Sequence, residues 1–485
     1  MRLHILLRFV GIILLLNSVG MFLSSFVSVY YSDAALVPLL YSAFILALFG
    51  VFPLIYVPPV EKITNNEGLL IVIAGWLLSC LAGTLPYILW GGEFSFTNAW
   101  FESVSGFTTT GSSILTNVEA VPKGLLFWRA MTHWLGGMGI ILFALSIMPF
   151  LGTGTRVLYH TEMSPLAREN FQERAKRTVQ ILVSVYVGLT ILETISLIFC
   201  GLSFIDAITH SFATIATGGF STKNTSIAYF NNPAVEIVIM TFMVLSGINF
   251  ALLFLASLGK LEKLWHSSAA RYYLGALAIG IIIVTINIYS ANYYQSWLSA
   301  LRYGAFQVLS VGTSTGFATA DSSVWPSLSH MLIIFFSLQC ACAGSTSGGI
   351  KTDRIVILWK TFVREIKLLQ HPQAIIPIIL GKQPIEEEAV VKGILYITLY
   401  LIITFVATVL LVSMGMHVVE AFSGTVATMG NVGPGLGRIG SMGNYAHVPA
   451  AGKWILSATM LLGRLEIYAL IRFFMPNNWK MYSSF

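Results

Sequence analysis

Phe101-Glu-Ser-Val-Ser-Gly-Phe-Thr-Thr-Thr-Gly-Ser112 carries a pattern that the chain repeats three more times. The other copies are His210-Ser-Phe-Ala-Thr-Ile-Ala-Thr-Gly-Gly-Phe220, Gln307-Val-Leu-Ser-Val-Gly-Thr-Ser-Thr-Gly-Phe317 and Phe422-Ser-Gly-Thr-Val-Ala-Thr-Met-Gly-Asn-Val-Gly-Pro434. In each, a short apolar stretch runs into polar sequence and stops at a glycine. The aligned glycines Gly111, Gly219, Gly316 and Gly433 stand 108, 97 and 117 residues apart. Each copy lies between two apolar runs. A period near 100 residues with one supersecondary unit per repeat predicts pseudo-fourfold architecture.

The surrounding composition places these segments in a membrane. Of 485 residues, 56% are hydrophobic and 10% charged, against about 25% charged in a soluble domain. Apolar runs near the ~20 residues needed to cross a bilayer recur throughout. About ten spans are expected, near 5–29, 35–57, 67–90, 124–150, 178–201, 233–258, 272–290, 328–358, 393–415 and 453–475. The first follows Arg2 and Arg8 but lacks a small-x-small cleavage site, so it reads as a retained helix. The fold class is therefore all-α and polytopic. Residues 1–62 form two helices outside the repeat. The four units occupy 63–160, 161–265, 266–385 and 386–485, the third with a broken second helix and a cytosolic segment.

The net charge of +6 does not imply a nucleic-acid partner. With both termini inside, cytosolic loops collect Arg156, Arg168, Arg174, Lys176 and Arg177, then Lys260, Lys263 and Arg271, then Lys351 to Lys392. The opposite side holds scattered cations, Arg129 among them. That asymmetry is the positive-inside pattern. Cys80, Cys200, Cys340 and Cys342 sit in apolar or small-residue surroundings and read as packing residues. Gly435-Leu-Gly-Arg-Ile-Gly440 fits GxGxxG by letter, yet no βαβ context surrounds it.

Non-helical backbone at membrane depth survives only where protein buries it or where it lines a water-filled cavity. Four such segments from four similar units can meet on one axis, where carbonyls and Thr hydroxyls replace an ion's hydration shell. None carries Asp or Glu at its glycine. Divalent ions favour carboxylate oxygens, so these ligands suit a monovalent cation. Taken singly, each segment also reads as a loop with a structural glycine; it is the matched set of four that favours a pore. Glu102, Asp206 and Glu420 are expected to open the pore helices and complement their dipoles. His133 and His210 read as satisfied interior histidines.

Two features break the apolar pattern within the later spans. Cys340-Ala-Cys-Ala-Gly-Ser-Thr-Ser-Gly-Gly-Ile350 interrupts an apolar run with three glycines, each costing about 1 kcal/mol in a helix, so the eighth span is expected to unwind. A small-residue helix-packing face is the alternative. Arg464 lies within the last span, where an arginine costs about 2.5–3.5 kcal/mol. It is expected to donate to carbonyls of residues 343–349, the alternative being a snorkelling side chain.

With Trp134-Leu-Gly-Gly-Met-Gly-Ile140, Ala343-Gly-Ser-Thr-Ser-Gly-Gly-Ile-Lys351, Gly430-Asn-Val-Gly-Pro-Gly435 and Gly463-Arg-Leu-Glu-Ile467, the ordered set resembles the Trk/Ktr/HKT superfamily of K+ transporters over essentially the whole chain. The two extra N-terminal spans resemble its bacterial TrkH-type branch. The resemblance implies a short selectivity filter with one glycine per loop, formed here by Thr109, Thr110, Gly111, Thr217, Gly218, Gly219, Thr315, Gly316, Asn431, Val432 and Gly433. K+, the transported ion, would meet mainly backbone carbonyls of Thr110, Gly111, Gly218, Thr315, Gly316, Val432 and Gly433. Relatives preferring Na+ often carry Ser in the first loop, so Gly111 favours K+. Asn431 and Val432 depart from the Thr-rich approach.

The resemblance further implies a gate made of Ala343, Gly344, Ser345, Thr346, Ser347, Gly348, Gly349 and Arg464. It also implies a homodimer in the bacterial inner membrane and a separate cytosolic ring of the TrkA type that binds NAD or ATP. Basic surfaces at 156–177 and 351–382 are candidate docking sites. No organic cofactor is expected in this chain. A symporter coupled to Na+ or H+ would show inverted repeats and paired broken helices. An enzyme would need a convergent acid, base or metal cluster, which the dispersed charges do not supply.

Overall fold

The structure, a computed structural model, describes residues 2–58, 65–151, 165–380 and 383–474. It is helical almost throughout. Two-residue strands at Ile379–Leu380 and Gln383–Pro384 pair antiparallel in one hairpin. Helices α1 (Leu3–Tyr31) and α2 (Leu36–Tyr56) form an N-terminal hairpin. They approach closely where Gly11 and Gly50 face each other: a Cβ on Gly11 would lie 2.7 Å from the Gly50 carbonyl. Small residues at such a crossing let lipid-embedded helices gain dispersion contact. Asn17 on α1 donates to Ser79 at 2.8 Å, which ties the hairpin to the next unit.

Four similar units follow. The first holds α3 (Asn65–Gly83), α4 (Leu85–Trp90), the short α5 (Phe96–Phe107) and α6 (Lys123–Leu151). The second holds α7 (Pro165–Phe199), the short α8 (Phe204–Ile215), α9 (Pro233–Ser246) and α10 (Phe250–Ser257), followed by the connecting α11 (Leu261–His266). The third runs through α12 (Ser268–Ser290), α13 (Trp297–Gly312), α14 (Ser327–Leu338) and α15 (Thr352–Gln370). The fourth comprises α16 (Glu387–Ser413), α17 (Val418–Met429), α18 (Ala450–Arg464) and α19 (Ile467–Phe474).

In every unit the helix that leads into the glycine-ended segment is too short to cross. Twelve residues rise about 18 Å, against a hydrocarbon core of about 30 Å. Helices α5, α8 and α17 have 12 residues and α13 has 16. Ser95, Ser203 and Ser296 cap three of them, each accepting a backbone N–H three residues on. The first and fourth units share one apolar cluster that includes Phe101, Trp128, Ala421 and Leu456, so the chain closes on itself.

Among the described residues, six helices are long and apolar enough to cross, or seven if one bent pair counts as a span. Three of the apolar runs are interrupted, the one at 328–358 as expected and the other two against expectation. The run at 233–258 bends by 109° between α9 and α10, because Gly247 caps one helix and Asn249 starts the next by accepting from Ala251 N and Leu252 N. The run at 328–358 stops at Leu338 and resumes at Thr352. The run at 453–475 breaks after Arg464, where Glu466 takes a φ of 63°.

Candidate ion pathway

The four short helices end in the same way. Thr110 N bonds Ser105 O at 2.9 Å and Thr109 N bonds Gly106 O at 3.0 Å. The pairs Gly218–Ala213 and Thr217–Thr214, Thr315–Ser310 and Ser314–Val311, and Val432–Ala427 and Asn431–Thr428 repeat that geometry at 2.7–3.2 Å. This is the Schellman cap, whose left-handed residue is usually Gly. Here it is Thr109, Thr217, Ser314 and Asn431, with φ of 53°, 56°, 58° and 53°. A non-glycine residue there costs roughly 1–2 kcal/mol and persists only where its surroundings over-determine it.

One residue after each cap comes a carbonyl that faces the glycine of the preceding unit. A Cβ added to Gly111 would fall within 3.0 Å of Gly218 O. The same holds for Gly219 against Thr315 O, Gly316 against Val432 O and Gly433 against Thr110 O. The contacts run first to second, second to third, third to fourth and fourth back to first. All four glycines have φ between 77° and 99°, so both the close approach and the backbone exclude a side chain. Thr109, Thr110, Thr217, Thr315, Asn431 and Val432 are fully buried. On one side of the ring lies a cavity of about 140 Å³ lined by the four glycines, Ser112, Pro434 and Tyr445.

On the other side stand the cap side chains. Thr109 Oγ1, Ser314 Oγ and Asn431 Oδ1 are buried without a hydrogen-bond partner. The Thr217 hydroxyl donates to Ala216 O and lies 3.4 Å from Thr346 Oγ1. The fourth loop keeps the geometry of the other three: asparagine visits the left-handed region readily, and Asn431 Nδ2 bonds Thr110 Oγ1 at 2.9 Å. Ser314 was absent from the sequence-derived set, although it has the same spacing from its glycine as Thr109, Thr217 and Asn431.

Residues 339–351 form the expected non-helical stretch, tied at its base by Cys340 N to Ile350 O at 3.1 Å. Ala343 to Gly349 lie beneath the cap oxygens: a Cβ on Gly348 would strike Asn431 Oδ1, and Thr346 Oγ1 bonds Ile215 O at 3.0 Å. Arg464, 2% exposed, donates through Nη1 to Thr346 O and through Nη2 to Gly136 O at 3.1 Å. The α9–α10 elbow holds the same stretch from the side. Cys342 N bonds Gly247 O at 3.0 Å, Phe250 N bonds Gly344 O at 3.1 Å, and Asn249 Nδ2 bonds Ala343 O at 2.9 Å.

Asp206 and Glu420 fall in the first turns of their helices. Glu102 does not: α5 starts at Phe96, so Glu102 lies mid-helix and bonds Arg129. Arg129, expected in an outer loop, is 3% exposed on α6. His133 and His210 are buried with both ring nitrogens in hydrogen-bonding contact. Among the described residues no cluster of three or more His, Cys, Asp or Glu could hold a metal ion. The basic surface at 156–177 and Lys382 lie largely outside the residues whose side chains are described.

Fold and pathway together define a polytopic membrane protein in which four re-entrant segments meet at one buried ring. The profile of the TrkH family, described as cation transport proteins, matches residues 43–481, and the chain belongs to that family. It is 36% identical to the Trk system potassium uptake protein TrkH of Salmonella typhimurium, covering 99% of this chain and 100% of that protein. The TrkI protein of Halomonas elongata is 32% identical over 84% of this chain and 82% of its own length. The crystal structure of the potassium transporter TrkH from Vibrio parahaemolyticus superimposes with a TM-score of 0.90 at 33% identity, covering 99% of this chain and 100% of that one. As a member of a transporter family, the protein is not an enzyme.

Proposed function

We propose that the chain takes K+ into the bacterial cell through a gated pore whose filter is the four-loop ring. The closed cycle of glycine against neighbouring carbonyl carries this reading, because it sets Thr110, Gly218, Thr315 and Val432 carbonyls around one axis. A ring of neutral oxygens can replace the hydration shell of a monovalent ion. Gly111, Gly219, Gly316 and Gly433 keep side chains out of it. The unpartnered oxygens of Thr109, Ser314 and Asn431, with Thr217, would receive the ion on its inner side. The stretch 343–349 and Arg464 then form the gate, a cation placed across the exit.

A potential of about 100 mV supplies about 2.3 kcal/mol per charge, enough for a K+ gradient of roughly 50-fold without ATP. The pore would sit in the inner membrane with both termini cytosolic, its four units spanning 63–160, 161–265, 266–385 and 386–485. The relatives are named as parts of a Trk system, which supports separate partner components; a TrkA-type nucleotide-binding ring and a homodimeric arrangement belong to the same proposal. Lys360, Arg364 and Lys367 on α15 are candidate docking residues.

A coupled symporter is the second reading, favoured by the additional broken helix at the elbow. The same-sense order of the four units argues against it. The test is cation flux into proteoliposomes, comparing K+, Rb+, Na+ and Li+ with Gly111→Ser alongside. K+ and Rb+ well above Na+, with the gap narrowed by Gly111→Ser, supports the filter. Equal flux of all four leaves a pore without K+ preference.

A further inference from the structure

The four junctions of the ring are not built alike. Behind the second-to-third junction, Ala228 N bonds Ala318 O and Ala318 N bonds the Ser226 hydroxyl, at 3.1 and 3.2 Å. Behind the third-to-fourth, Ser322 N bonds Ser441 Oγ at 3.0 Å. Behind the fourth-to-first, Tyr445 N bonds Ser113 O at 2.8 Å. All of these bonds are neutral.

The first-to-second junction instead carries a buried ion pair. Glu102 on α5 accepts from Arg129 Nε on α6 at 2.5 Å, and both side chains are at most 4% exposed. Glu102 also accepts from the Ser113 hydroxyl and from Ile114 N, each at 2.9 Å. It thus grips the chain two and three residues beyond Gly111. Arg129 reaches the other way: its Nη1 donates to Ser221 O at 3.0 Å, and its guanidinium lies 3.5 Å from the Phe220 ring centroid. Those residues follow Gly219 directly.

One turn further along α6, His133 completes the contact. Its ring stacks on Phe220 at 4.1 Å, accepts from Phe220 N at 3.3 Å and bonds Gly106 O at 2.8 Å. A Cβ on Gly218 would strike that ring at 2.5 Å. Among the described residues no other ion pair bonds the ring-flanking backbone. The Arg302–Glu236 pair is partly exposed and reaches Asn231 instead.

We propose that Glu102 and Arg129 are positioning residues for ion selection, their pair fixing the Thr110 and Gly218 carbonyls relative to each other. This rests on reading the ring as the filter. The bonds of a buried pair are short and directional, so they hold two loops at one spacing more stiffly than a lone neutral bond does. Loosening them lets two of the four oxygens move, and an ion of the wrong size is then accommodated better. The expected consequence is a change in preference before a loss of conduction.

Removing one partner of a buried pair strands the other charge, whereas removing both is often neutral for folding. The decisive protein is therefore the full chain carrying Glu102→Gln with Arg129→Gln. Arg129→Lys, which keeps the charge but loses the fork, serves as the conservative companion. Purified proteins of unchanged Tm are reconstituted, and Rb+ uptake is measured with K+ or Na+ as competitor. The K+/Na+ competition ratio is expected to fall about tenfold in the double variant and by less in Arg129→Lys, with Rb+ still carried. A wild-type ratio in the double variant, or an equal fall in all fluxes, overturns the inference. A wild-type protein with no K+ preference overturns the filter reading itself.

Discussion

Replacing Gly219 with Ala tests the ring most directly. The added methyl would fall well inside 3.0 Å of Thr315 O, a backbone atom that cannot swing aside, and the residue would have to keep a φ of 77°. Backbone strain of that kind costs about 1–3 kcal/mol. If it is relieved by displacing the carbonyl from the ion, binding weakens by roughly 5- to 140-fold. Gly111→Ala and Gly316→Ala meet the same obstacle. Gly433→Ala is the mildest of the four, since its Cβ starts 2.5 Å from Thr110 O and needs a shift of about 0.5 Å to reach the 3.0 Å limit. Gly188→Ala on α7, with nothing within 4 Å, should leave flux unchanged and favours the helix by about 1 kcal/mol. The assay is Rb+ uptake into proteoliposomes at matched protein content. Wild-type uptake by Gly219→Ala, or loss by Gly188→Ala equal to that at the ring, would refute the close-approach argument.

Arg464→Ala should raise Rb+ flux at normal expression, since it removes a cation held on Thr346 O; unchanged flux counts against the barrier. Asn249→Ala removes both the cap of α10 and the bond to Ala343 O. It should lower Tm by the equivalent of about 1 kcal/mol and also raise flux, and a Tm shift alone would leave the elbow as a purely structural element. For orientation, Tyr229→Cys should react with an impermeant maleimide in intact cells, whereas Trp265→Cys should react only after permeabilisation. Both positions are more than half exposed, and the reverse pattern would invert the topology.

The re-entrant segments were legible because glycine and threonine have no place in lipid-facing helix at that density, and because four copies recur. The order in which the loops abut was not, since it depends on contacts between residues from about 100 to more than 300 positions apart. Hydropathy averaged across Gly247-Ile248-Asn249 and hid the elbow, although a glycine followed by an asparagine is a stop-and-start signal. Glu102 resembles a helix opener in sequence, but the cap is Ser95, seven residues upstream. Its partner Arg129 looked like one more loop cation, since burial of a charge cannot be read without knowing what it meets. Arg464 was the easier case: an arginine that deep needs acceptors, and a glycine-rich break supplies free carbonyls.

The ring has one further consequence, for biosynthesis. Its last contact joins Ser112 to the Gly433 carbonyl across 321 residues of chain. At about 5–20 residues per second, roughly 16–64 s separate the synthesis of the two halves of that contact. During that interval the second and third loops are still being made, and until Gly433 emerges the ring has no fourth wall. A chain truncated before the fourth loop would therefore lack the Gly433 and Val432 sides of the ring.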